Sequence, residues 1–299
     1  MTAATRRQFL HAAVAAGAGL AFARPSAAIE PIRRTGKPHL RLSIAAYSYR
    51  QYLAARPKPT MTLDDFIDTA AGMGLDAVEL TQYYFPETSP AYLARLKGRC
   101  TRLGLDVSGT AVGNNFATSD PAKLRQQLAM VKQWVEHTSR LGGKTMRIFA
   151  GAKDKGDAEE QARARCVEAI QEACDHAGKY GIYLALENHG GIVATIDQML
   201  KLVKAVRHDW FGVNLDTGNF HSADPYADLE RLAPYAVVVQ LKTEMHRPGK
   251  PAEDADLKRL TDILRAANYR GYVALEYEAK EEPKAAIPRH VAALKKLMG

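Results

Sequence analysis

The sequence predicts an α/β fold, a single-domain (β/α)₈ barrel, and two observations predict it. From Leu40 onward, eight short and nearly continuous apolar runs alternate with longer amphipathic stretches, the pattern of parallel strands covered on both faces by helices. Eight such units in roughly 260 residues match a closed barrel, which typically takes about 250. An open, doubly wound sheet is the competing arrangement. It is disfavoured because the first apolar run ends in Tyr47-Ser48-Tyr49-Arg50, where a dinucleotide-binding fold would place glycines.

Taken in order, the chain begins with Thr5-Arg6-Arg7-Gln8-Phe9-Leu10, a soft Ala/Gly run from His11 to Ala23, and small residues up to Ala28. That succession resembles a twin-arginine (Tat) export signal. Residues 1–28 are therefore expected to engage the Tat machinery and be removed on export, to the periplasm or otherwise out of the cell interior, with 29–39 a linker and 40–299 the barrel. Strands are expected at Arg41 to Tyr47, Ala77 to Thr81, Asp106 to Thr110, Thr145 to Ala150, Tyr183 to Glu187, Phe211 to Leu215, Ala236 to Leu241 and Tyr272 to Glu276. Between them a helical period is readable at Leu63, Phe66, Ile67 and Ala70, at Leu124, Leu128, Val131 and Val135, and at Met199, Leu202, Val203 and Val206, stripes that helices lay against a core. Gly74, Gly104, Gly142, Gly181 and Gly271 stand just before strands, where helices commonly end in a left-handed glycine.

Composition narrows the function classes. With 46% hydrophobic and 25% charged residues the chain can bury a core, which excludes a disordered or collagenous protein. It has no apolar run of the roughly 20 residues that a spanning helix needs, so stable membrane insertion is not expected. The formal charge of +8 comes without a basic run or basic residues interleaved with aromatics, which argues against a nucleic-acid partner. Cys166 and Cys174 fall about 12 Å apart along one helix, too far for a disulfide, and all three cysteines read as buried thiols. A homo-oligomer stays open.

Barrel enzymes carry their chemistry at the carboxyl ends of the strands. Four acidic or amide residues end successive apolar runs: Glu187, Asp216, Gln240 and Glu276, separated by 29, 24 and 36 residues, about one βα unit each. Converging carboxylates behind apolar strands repel one another unless a cation sits among them, so the spacing points to a divalent metal. An all-oxygen set favours Mn²⁺ or Mg²⁺ over Zn²⁺ or Co²⁺. Capping of strands, or pairing with Arg147 and Lys242, is the simpler use of any one of the four. Side chains two apart share a face of a strand, so His189 goes with Glu187, Lys242 with Gln240 and Glu278 with Glu276. His189, Lys242, Arg147 and Glu79 are thus candidates for substrate binding, with His221 and His246 in loops placed to close the pocket. The Tyr47-Tyr49 and Tyr83-Tyr84-Phe85 clusters are read either as sugar-stacking platforms or as rim packing.

The segments Leu186-Glu187-Asn188-His189-Gly190-Gly191, Asn214-Leu215-Asp216-Thr217-Gly218-Asn219-Phe220, Val239-Gln240-Leu241-Lys242 and Leu275-Glu276-Tyr277-Glu278 resemble the xylose isomerase-like TIM barrels, which include sugar phosphate isomerases/epimerases, ketose 3-epimerases and, more distantly, endonuclease IV. The resemblance runs from about Leu40 to Met298. It implies one divalent metal on Glu187, Asp216, Gln240 and Glu276, with the two glutamates doubling as acid/base catalysts. Gln240 departs from the family, where many members have histidine followed by the same apolar-Lys pair. Arg147 stands where an endonuclease IV-like cluster would want a ligand.

The leading expectation is therefore a metal-dependent sugar isomerase or epimerase, in which a carboxylate removes a carbon-bound proton and the metal stabilises the enediolate. The alternative expels a leaving group from the same intermediate, as a lyase or hydrolase of 3-keto-glycosides. A non-catalytic sugar-binding barrel is disfavoured by the carboxylate set, and a DNA-repair nuclease by Arg147 and the export signal.

Overall fold

Eight parallel strands close into one barrel in the computed structural model, which describes residues 29–299. They are β1 (His39–Ala45), β2 (Ala77–Thr81), β3 (Asp106–Ala111), β4 (Thr145–Ile148), β5 (Tyr183–Glu187), β6 (Phe211–Asp216), β7 (Ala236–Leu241) and β8 (Arg270–Leu275). Each strand pairs with the next in sequence, and β8 returns to β1. The outer ring is α1 (Leu63–Gly72), α2 (Pro90–Arg102), α3 (Pro121–Leu141), α4 (Glu159–Lys179), α5 (Ile196–Ala205), α6 (Pro225–Leu232), α7 (Leu257–Ala266) and α8 (Pro283–Met298). None of the helices among the described residues is long and apolar enough to cross a membrane.

Local chemistry starts these helices where the βα loops require. Reciprocal capping boxes, Thr62 with Asp65 and Thr195 with Gln198, open α1 and α5, satisfying backbone donors that the helix itself leaves free. Ser89, Asp120 and Asp224 cap α2, α3 and α6, each followed by a first-turn proline, whose missing N–H costs nothing there. The apolar stripes face inward: Leu63, Phe66, Ile67 and Ala70 are buried on α1, and Met199, Leu202 and Val203 on α5. β2 and β6 are buried at every position, which is why their runs lack alternation.

Several boundaries differ from the sequence expectation, for identifiable reasons. β1 stops at Ala45 because Ala46–Tyr49 winds into a 3₁₀ turn. Ser48 Oγ fastens that turn to β8, donating to the Leu275 carbonyl at 3.0 Å and accepting from Tyr277 N at 2.9 Å. β4 stops at Ile148 because the Asn114 amide takes over the pairing of Phe149, accepting from its N–H at 2.9 Å and donating to its carbonyl at 2.8 Å. Gly271 does not end a helix. It lies inside β8, and Asn268, at φ 50°, takes the left-handed position after α7. Residues 29–38 lie against the barrel, with Ile32 N donating to Pro234 O at 2.9 Å and Asn268 Nδ2 to Arg34 O at 2.9 Å. The twin-arginine segment falls outside the described residues. All three cysteines are free and buried, and burial pushes the Cys100 thiol up to about 11.

Candidate active site

The barrel register sets the candidate residues side by side. Glu187 ends β5 opposite Asn214, Asp216 ends β6 opposite Gln240, and Glu276 follows the last residue of β8. Asn188 pins the Asp216 backbone from the neighbouring strand end, accepting from its N–H and donating to its carbonyl, both at 2.9 Å. The Asp216 carboxylate accepts from Gly218 N at 2.8 Å through Oδ1. Glu187 is held from two sides: Asn219 Nδ2 donates to Oε1 at 2.8 Å, and Arg147 Nε stands 2.9 Å from Oε2 as an ion pair. Arg147 is itself fixed by donating to the Val112 carbonyl at 2.7 Å, and its guanidinium lies 4.0 Å from the centre of the Phe149 ring.

Lys242 occupies the middle of the mouth. Its Nζ is 3.3 Å from Asp216 Oδ2, 3.4 Å from Glu276 Oε2 and 2.7 Å from Glu278 Oε1. The expectation that Gln240 offers its oxygen to a metal meets an oxygen already engaged, because Asn214 Nδ2 donates to Gln240 Oε1 at 2.6 Å. At its other end Gln240 Nε2 donates to Glu79 Oε1 at 2.7 Å. Asn214, Gln240 and Glu79 thus form a buried chain across the barrel.

The electrostatics follow from burial. Glu79, Glu187, Asp216 and Glu276 are all buried, as are Arg147 and Lys242. Four potential anions face two cations. Burial pushes Glu79 up to about 7, assisted by the Glu276 charge and opposed by Arg147. Glu187 also rises to about 7, through burial set against Arg147, and Asp216 to about 8, through burial set against Lys242. The Lys242 ammonium is held well above its ordinary range: burial works against it, but the carboxylates led by Asp216 and Glu276 outweigh that. Burial and Arg147 lower His189, favouring its neutral form.

A cavity of about 320 Å³ opens over this cluster, walled by Tyr47, Tyr83 and Phe149 and floored by Arg147, Glu187 and Glu276. His189 and Lys242 complete its polar lining, and the His189 ring packs 4.4 Å from that of Phe149. Asp216, Gln240 and Glu79 are buried outside that lining, while His221 and His246 border an adjoining cavity. Of the aromatic clusters only Tyr47 and Tyr83 reach the cavity. Tyr49 is core against Phe66, and Phe85 packs on Trp134. Sequence reasoning assigned no role to Asn219, Asn188 or Phe149. Strand parity with Arg147 was the available signal for Phe149; the two asparagines act through loop geometry that no period encodes.

The donor set fits a divalent cation in chemistry. Glu187 Oε2, Asp216 Oδ2 and Glu276 Oε2 are buried oxygens without a hydrogen-bond partner among the described residues, each facing the charge of Arg147 or Lys242, and carboxylate oxygens are the donors that hard divalent ions take. As arranged around Lys242, no group of three or more His, Cys, Asp or Glu among the described residues is drawn together as a metal cage. Residues 67–297 match the family model described as xylose isomerase-like TIM barrel. The chain belongs to that family. Among curated proteins, a 3-dehydroshikimate dehydratase of Bacillus anthracis is 29% identical over 113 residues, 37% of this chain and 38% of that protein. The chain therefore matches well under half the length of this relative. Among solved structures, D-psicose 3-epimerase in the presence of D-fructose superposes with a TM-score of 0.67 at 23% identity, over 84% of this chain and 89% of that one. The IolI protein with a bound zinc atom gives 0.69 at 19% identity, over 86% and 96%. At those identities the two structures establish the family's fold. The family is one of enzymes, and its members share the carboxyl-end mouth in which these side chains meet.

Proposed function

We propose that this chain is a divalent-metal-dependent sugar isomerase or epimerase that starts its reaction by carboxylate proton abstraction. One observation carries the reading: Glu187 and Glu276, three strands apart in the barrel order, face one cavity, each beside a buried cation, Arg147 and Lys242, the placement that general acid–base catalysis by a pair of carboxylates needs. Glu187 takes the proton from the carbon beside the substrate carbonyl, its carboxylate oriented by Asn219 and Arg147. Lys242 and Arg147 place positive charge where negative charge develops on the substrate oxygens. Glu276, beside Lys242, returns a proton from the other wall. Tyr47, Tyr83 and the Phe149–His189 pair give the ring or chain an apolar face. A divalent ion, Mn²⁺ by the hardness of the donors, would be held by Glu187, Asp216 and Glu276 and would polarise the substrate carbonyl. Gln240 would join them only by sharing its oxygen with Asn214.

The test is turnover in D₂O with a panel of free ketoses and ketose disaccharides, on protein loaded with Mn²⁺. Solvent deuterium should enter a sugar carbon, and Glu187→Gln should slow its entry by about 10²-fold to 10⁴-fold. Conversion without any deuterium uptake would exclude carboxylate proton abstraction. The dehydratase relative favours a second reading, elimination of a group next to the same abstracted proton, which mass analysis of the products separates from isomerisation. Export to the periplasm through residues 1–28 is part of the proposal, tested by N-terminal sequencing of the mature protein from cell fractions.

A further inference from the structure

Beside the cavity over Glu187 and Glu276 lies a second, of about 210 Å³, and the two share a wall made by Asn219, Lys242 and Glu278. The far side is formed by His221, Thr243, Glu244 and His246. Gly218 makes the partition thin, because a Cβ there would stand 2.6 Å from Lys242 Cγ, and only glycine lets the lysine stem run along it. The reacting mouth is therefore two-lobed, and nothing in the chemistry proposed above uses the second lobe.

The second lobe has the marks of a subsite for a neutral polyhydroxyl ring. The His221 and His246 imidazoles lie with their centres 5.0 Å apart and a 39° tilt, so two ring faces on one wall are placed to pack against a sugar ring, and burial, with His246 beside it, lowers His221. Thr243 is 4% exposed, and its Oγ1 is buried without a hydrogen-bond partner among the described residues. A buried hydroxyl left unpaired costs free energy that a ligand hydroxyl can relieve. Glu244 and Glu278 add carboxylates that accept from hydroxyls and repel phosphate. A short antiparallel hairpin, Glu244–Met245 with Glu253–Asp254, carries this wall, and Arg247 pairs with Glu253 across it.

We propose that the substrate is a two-ring saccharide, its reacting sugar in the carboxylate lobe and a second, unphosphorylated sugar ring lying against His221 and His246. This rests on the isomerase reading for the choice of reacting sugar, but the subsite itself is read out by binding alone. Calorimetric titration of the full chain with isomaltulose, turanose, cellobiose and maltose, against D-fructose and methyl β-D-glucopyranoside, is the direct test. At least one disaccharide should bind about tenfold or more tighter than both monosaccharides, a gain of about 1.4 kcal/mol. His246→Ala should bring that ratio toward one, and the near-isosteric Thr243→Val should reduce it by several-fold. Disaccharides that bind no tighter than the monosaccharides, or a ratio that survives both substitutions, would overturn the two-lobed substrate. If the ratio behaves as expected while no sugar in the panel takes up deuterium, the isomerase reading falls and the subsite stands. If the free ketoses exchange and the ratio is one, the reverse holds.

Discussion

Glu79 offers the cleanest measurement of what burying this cluster costs. It is 1% exposed inside the barrel, its hydrogen bond comes from Gln240 Nε2 at 2.7 Å, and burial lifts its carboxyl from 4.5 to about 7. The perturbation is Glu79→Gln, which keeps the shape and an oxygen for Gln240 to donate to but cannot ionise. A carboxyl whose folded value is raised keeps a proton that the unfolded chain has lost, so unfolding releases a proton and stability falls as pH rises. Wild type should therefore lose stability relative to the variant between about pH 4.5 and about pH 7, and the difference should stay level above that window. A shift of about 2.5 pH units corresponds to about 3 kcal/mol. Denaturant unfolding of both proteins across that window, with chelator present, measures the difference at each pH. Depressed surface carboxylates such as Asp65 and Asp154 titrate in both proteins and cancel. Parallel stability curves for the two proteins would refute the reasoning, because they would mean Glu79 either ionises normally or is not sealed from water.

Three further outcomes are expected. In the metal-free protein the Glu187 carboxyl should ionise near pH 7, a titration that ¹³C NMR of labelled glutamate follows and that Arg147→Leu should move to higher pH by removing the nearest positive charge. Gln240→Leu breaks the bonds to Asn214 and Glu79, costing about 2–4 kcal/mol of stability. With its oxygen engaged by Asn214, it should lower Mn²⁺ content on elemental analysis after dialysis less than Asp216→Asn does. Gly218→Ala drives a methyl into the Lys242 stem and should raise KM or depress kcat while leaving the barrel's thermal unfolding nearly unchanged; wild-type kinetics would show that the stem is free to move.

The sequence by itself determined the barrel, because eight units of buried strand and amphipathic helix leave few other ways to hide their apolar surface. It also determined which side chains meet at the carboxyl-end mouth: Glu187, Asp216, Gln240 and Glu276 end their apolar runs one unit apart, and strand parity alone put Lys242 on the Gln240 face. What each of those side chains does at that end was decided only by tertiary structure. Whether Lys242 touches Asp216 or solvent depends on the distance between β6 and β7 and on how much room Gly218 leaves, neither of which has a period in the chain. The Gln240 amide could not be assigned from its own strand, since its two partners come from β6 and β2, 26 and 161 residues away. Asn114 and Asn188, ordinary loop residues in sequence, finish the strand ladders with their side chains. The second lobe is of the same kind, because His221 and His246 come from different βα loops, and loops obey closure and local hydrogen bonding instead of a repeating pattern. Periodicity reports which residues must leave water; only the closed barrel brings polar groups from distant strands within a few ångströms, where charge, burial and hydrogen bonding decide among them.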